Sequence, residues 1–209
     1  MGLDWNPGNK PKPGFEKEFE HLFYVLQKKR TLFRRRRTAR FQEISISAFE
    51  TLNAPQVGHS SEADAWALDQ YGNAPRDVSQ EVWLQQLTGF HVVDLVPPCD
   101  GIPRFSNGSA GGYVEPFSFR AQFLTDCEYI IGPGLLGSAY QSKLPADFRS
   151  YGEALMGKFH EFVQERGLDP ANLASDDPES AAFHADVVGS AARWCLFWSR
   201  RGHVLEAYW

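Results

Sequence analysis

Cys99, Asp100, Arg104, Ser106, Asn107, Ser109 and Tyr113 crowd into one stretch of the chain, PPCDGIPRFSNGSAGGYVEP, residues 97–116. A thiol or hydroxyl nucleophile, a carboxylate that can move a proton and a guanidinium that can hold an anion are the parts of a hydrolase or transferase with an anionic substrate. In such an enzyme Asp100 is the acid or base, Cys99 or Ser106 the nucleophile, and Arg104 with Arg120 orients the anion. Gly108, Gly111 and Gly112 let a ligand approach the backbone closely, and successive N–H groups around Ser109 to Gly112 can form an anion-binding nest.

The surrounding text lacks the patterns that would make this chemistry specific. There is no Gly-x-x-x-x-Gly-Lys-Ser/Thr, Gly-x-Ser-x-Gly or His-Glu-x-x-His sequence. His91 is the histidine nearest Cys99, but nucleophile and base usually converge from distant segments. Three dispersed cysteines, Cys99, Cys127 and Cys195, suggest neither a disulfide framework nor a zinc site and are expected to be buried small residues in a reducing, cytoplasmic setting. His184 and Asp186 diverge on a helix, and His160 and His184 flank apolar faces, so both histidines are expected to be partly buried and hydrogen-bonded. No metal and no cofactor is expected. The favoured function is a binding or regulatory protein that holds a small-molecule ligand or protein partner at the 97–116 loop, through Cys99, Asp100, Arg104, Ser106, Asn107, Tyr113 and Arg120. Catalysis at the same loop is the alternative.

A second candidate is electrostatic. Residues 28–40 hold eight Lys or Arg and no acid, leaving thirteen basic against twenty-six acidic groups elsewhere in a chain of net charge −5. Such a run can neutralise phosphates, which makes nucleic acid the third function considered. It is the less favoured partner, because the rest of the chain is acidic and aromatic interleaving is limited to Phe33 and Phe41. The run also fits the basic C-terminal end of an amphipathic helix, and it can meet the chain's own acidic surface or a second copy in a homo-oligomer.

The elements that must position these groups read as follows. Asp4 to Gly14, with three prolines, is an extended lead-in anchored by Trp5. Phe15, Phe19, Leu22, Phe23 and Leu26 form a helical stripe with an acidic first turn and basic last turns. Strands are expected near Phe41 to Ser47, at His91 to Val96 and at the C-terminus. Helices are expected from Ser61 to about Tyr71, after an Asp77 cap, over Phe148 to Phe162 up to Gly167, and from Pro178 with Asp177 as cap. Gly132, Pro133 and Gly134 should lead into loop. Glu179, Asp186, Arg193 and Arg200 make a solvated stripe on the last helix. The sum is an α+β, helix-rich single domain over residues 1–209 with a small sheet.

With 209 residues, 43% hydrophobic and 14% aromatic, the chain can bury a core without staples. No run approaches the eighteen apolar residues of a membrane span, there is no apolar leader, and Asn6 stands where a myristoylation pattern needs Ser or Thr, so no membrane partner is expected.

Overall fold

The computed structural model describes residues 2–28, 32–73, 77–97 and 117–209. They form a helix-rich α+β chain that packs as two compact units, one from Met1–Ile46 with Gly101–Trp209 and the other from Ser47–Asp100.

The larger unit is built on α7 (Pro145–Arg166) and α8 (Ala181–Arg200), which make its most extensive helix contact. Proline at the first position of α7 has no N–H to leave unpaired, and Phe148, Tyr151, Leu155, Phe159 and Phe162 recur at three- and four-residue spacing to form one buried face. Gly167 ends the helix at φ 63°, a left-handed position that glycine takes without a side-chain clash. α8 starts later than the sequence suggests. Ser180, not Asp177, is its cap, accepting the Phe183 N–H at 3.2 Å, while the Asp177 carboxylate accepts the Glu179 N–H at 3.0 Å in the preceding turn. Asp186, Arg193 and Arg200 of the expected stripe lie on the outside of α8, where Arg193 and Asp186 pair at 3.4 Å, both half-exposed, while Glu179 falls in the turn before the helix.

The proline-rich lead-in is extended, as its composition requires, and it is also paired. β1 (Asp4–Pro7) runs antiparallel to β4 (Leu205–Tyr208), with Trp5 opposite Ala207. Trp5 also exchanges backbone hydrogen bonds with Phe119, both 2.8 Å. Its indole is fully buried, lies 5.8 Å from the Trp194 ring and donates to the Ala139 carbonyl at 2.8 Å, so it anchors the strand to the helical core. The sheet is smaller and differently composed than expected. β2 (Lys10–Pro11) pairs with β3 (Ser45–Ile46), and Phe41 belongs to a helix instead of a strand.

Two helices precede β3: α1 (Glu16–Gln27) and α2 (Arg34–Glu43). Phe19, Leu22 and Phe23 of α1 meet Phe41, Ile44 and Val204 in one buried cluster, with the Phe19 and Phe41 rings stacked at 4.6 Å. α6 (Glu128–Ala139) corrects the loop expected at Gly132 to Gly134. Gly132 breaks the helix at φ 78° and ψ 160°, and Pro133 starts a second helical segment at once.

The smaller unit contains α3 (Ala48–Thr51), α4 (Ser61–Asp69) and α5 (Gln80–Leu87). Val57, Ala63, Ala67 and Val92 are its buried centre, and Trp83 of α5 donates to the Ala67 carbonyl of α4 at 2.8 Å. Ser60 and Ser79 occupy the cap positions expected at Ser61 and Asp77. The Asp64 carboxylate, in the first turn of α4, accepts the Gly58 N–H at 2.7 Å. His91 to Val96 is not a strand: His91 makes one isolated bridge with Gln56, and Val93–Leu95 is a single tight helical turn. Among the described residues no helix is long and apolar enough to cross a membrane.

Candidate functional site

Of the residues expected to hold a ligand, Cys99, Asp100, Arg104, Ser106, Asn107 and Tyr113 lie outside the described residues, as do Ser109 and the loop glycines. Arg120 is described. Its guanidinium pairs with Asp4 at 3.4 Å and packs against Gly2, which ties the residues after the loop to β1. Among the described residues no cluster of three or more His, Cys, Asp or Glu side chains is arranged to hold a metal.

The other candidate, the basic segment, is organised differently from its sequence reading. α1 ends at Gln27 with no basic residue in its last turn, so the run does not complement that helix. Arg34, Arg35, Arg36 and Arg37 instead form the first turn of α2, with no acid among them. The N-terminal turn of a helix already carries positive charge from its unpaired N–H groups, so cations there are disfavoured by their own helix. Arginines at three- and four-residue spacing also repel one another along its surface. Phe33, the cap residue, contributes no side-chain acceptor and stands in the left-handed region at φ 58° and ψ 31°. The arrangement stabilises neither the helix nor the cap.

One arginine of the run is neutralised within the fold. Arg40 donates two hydrogen bonds to the Glu18 carboxylate, at 2.8 and 2.9 Å, pairs with Glu43 at 3.0 Å and lies over the Phe15 ring. The hydrogen bonds from Arg40 hold the Glu18 carboxyl below the usual carboxylate range. Among the described residues Arg35, Arg36 and Arg37 form no ion pair. Arg36, Arg37 and Arg40 line a groove of about 310 Å³ whose apolar wall is Leu22 and Phe33. Guanidinium groups beside an apolar wall suit an anion that carries nonpolar matter with it, since a planar fork of N–H donors matches phosphate and carboxylate oxygens. The charge of this run was legible in the sequence. Its placement was not, because a continuous basic stretch does not reveal where one helix stops and the next begins.

Elsewhere the groups that could do chemistry are committed to the fold. The Cys127 thiol is pushed up to about 12 by burial and the neighbouring Asp126, and burial raises that of Cys195 as well, so both behave as the small buried residues expected. Lys143 is buried and brought down to about 8 by desolvation. Its ammonium donates to the carbonyls of Ser138 and Gln141 and sits 4.5 Å from the centre of the Tyr151 ring, closing the C-terminal end of α6. His184 is buried and hydrogen-bonded, with Nδ1 2.9 Å from the Tyr129 hydroxyl. His160 departs from the expectation of burial. It is exposed, its ring resting on Phe159 at 5.3 Å. His91 stacks on Phe49 at 5.2 Å, and its Nδ1 lies 3.2 Å from the Ala54 carbonyl.

No protein-family model, curated protein or solved structure matches this chain.

Proposed function

We propose that this chain is a binding protein for an anionic partner, which Arg36 and Arg37 hold at the groove between α1 and α2. One observation carries the proposal: arginines occupy the first turn of α2, against the helix dipole and with no acidic partner among the described residues. Side chains placed where they cost stability are accounted for by a ligand that relieves the cost. Leu22 and Phe33 supply the apolar wall and Arg40, pinned by Glu18 and Glu43, the fixed end. A reducing, cytoplasmic setting is supported by the cysteine usage. A ligand or partner site at residues 97–116 remains a proposal drawn from sequence composition.

The test is calorimetric titration of the intact protein with inorganic polyphosphate. Wild type is expected to bind, and Arg36→Gln with Arg37→Gln to lose about tenfold or more in affinity, two charge-assisted contacts having gone. The proposal fails if wild type does not bind, or if the double variant binds as well as wild type.

A further inference from the structure

The anionic partner so far has no identity, and two neighbouring side chains supply one. Leu32 and Phe33 are 79% and 76% exposed, side by side in the sequence and adjacent to the arginines of α2. Resting on the anion-binding proposal above, we infer that the partner is an anionic lipid surface, into which Leu32 and Phe33 insert while Arg34 to Arg37 meet the headgroups.

Single-stranded nucleic acid is the main competitor for the same charges, and it needs aromatic faces on which bases stack. The segment's two aromatics were Phe33 and Phe41, and Phe41 is buried against Phe19. That leaves one stacking face within the segment, and the aliphatic Leu32 gains nothing from a base. The boundary between headgroups and acyl chains rewards both side chains, since each leaves water for an apolar medium while adjacent cations stay among phosphates. Lys28 and the arginines of α2 bracket the pair from both sides, the pattern that anionic leaflets attract. The acidic remainder of the chain is repelled by the same leaflet, so only this end can approach it. The left-handed backbone at Phe33 gives a phenylalanine a conformation it rarely takes, in the position where the side chain is presented to solvent. Docking of this kind needs no membrane-spanning helix.

The experiment is cosedimentation of the intact protein with phosphatidylcholine vesicles and with vesicles of phosphatidylcholine and phosphatidylserine, beside polyphosphate titration and an oligo(dT) arm. The variants are Leu32→Ser with Phe33→Ser, and Arg36→Gln with Arg37→Gln. All four positions are surface residues, so far-UV circular dichroism should match wild type. Wild type is expected to pellet with the serine-lipid vesicles and not with phosphatidylcholine alone. The Leu32/Phe33 variant should lose at least about tenfold in vesicle partitioning, and Leu32→Ser alone, which leaves the groove lining intact, should weaken vesicle partitioning while keeping its polyphosphate affinity. The arginine variant should lose both, by about fivefold for each charge removed in the vesicle assay. If wild type binds polyphosphate but not serine-lipid vesicles, the lipid partner is wrong while anion binding stands. If it binds neither, both fall. If the Leu32/Phe33 variant partitions like wild type, insertion is wrong. Oligo(dT) binding tighter than vesicle binding, and weakened by Phe33→Ser alone, would put nucleic acid in the lipid's place.

Discussion

At φ 58° and 76% exposed, Phe33 has neither the backbone freedom of glycine nor the compensation of a packed ring. Asn53, the other non-glycine residue with positive φ among the described residues, is of a type that tolerates the left-handed region. Phe33→Asn should therefore raise the unfolding free energy, by up to ~1 kcal/mol, in chemical denaturation. A decrease would mean that the phenylalanine is held by packing. His203 offers a test at the other extreme of burial. Its imidazole is fully buried, edge-on to Trp198, with Nδ1 donating to the Gly8 carbonyl at 2.7 Å, and desolvation brings its pKa down to about 4 from 6.5. Between these values the unfolded chain binds a proton that the folded chain refuses, so stability falls as pH drops from 6.5 and the loss is complete near 4. The loss is on the order of 3 kcal/mol. Histidine resonances followed by NMR should show His203 neutral at pH 5. A midpoint near 6.5 would contradict its burial. Some single residues were readable in advance. Trp5 was the one large apolar side chain in a proline-rich lead-in and is the anchor of its strand. Helix caps were less so, because Ser60 and Ser61, Asp77 and Ser79, and Asp177 and Ser180 are each chemically able to cap, and tertiary packing decides between them.

The helices divide into scaffold and proposed site. In α7, Gly152 permits close approach to α8: a Cβ added there would come within 2.7 Å of the Cys195 Cβ, an atom fixed to its own backbone. Gly157 of the same helix is exposed and meets nothing within 4 Å. Gly152→Ala is expected to destabilise by ~1–3 kcal/mol through overpacking, and Gly157→Ala to stabilise by up to ~1 kcal/mol through helix propensity. Thermal denaturation of the two variants side by side checks both signs. The basic turn of α2 should show the opposite balance of stability and binding. Arg35→Glu with Arg36→Glu replaces cations at the positive end of the helix with anions, and should raise the melting temperature while abolishing polyphosphate binding. A lower melting temperature would show that the arginines support the helix after all. Long elements with a sustained period, α1, α7 and α8, were legible because one apolar face repeats over several turns. The four-residue alternation at Ile44 to Ser47 yielded only the two-residue strand β3, since α2 runs on to Glu43 and Ser47 already caps α3. His91 to Val96 is apolar enough for a strand, but after the single bridge at His91 it curls into a turn at Val93–Leu95.

Across the whole molecule, charge is segregated: a net acidic chain concentrates eight cations in residues 28–40. That separation was plain in the sequence, whereas the groove was not, because it depends on a chain reversal that brings Leu22 of α1 beside Arg36 and Arg37 of α2. The 97–116 loop was the sequence's strongest pointer to function. Apart from Pro97 it lies outside the described residues, and the proposed groove is argued from residues that are described. An acidic body also makes partner choice sensitive to ionic strength, since a polyanion must be drawn to one patch against repulsion from the remainder. The most direct test is the salt dependence of polyphosphate affinity, comparing wild type with Arg36→Gln/Arg37→Gln and with a control of equal net charge, Arg149→Gln/Arg200→Gln, at exposed sites on α7 and α8. The account predicts a shallower slope of log affinity against log salt for the groove variant, by ~0.7–0.9 for each arginine removed, and a wild-type slope for the control. Equal slopes in the two variants would contradict it, because the anion would then be reading net charge and not the groove.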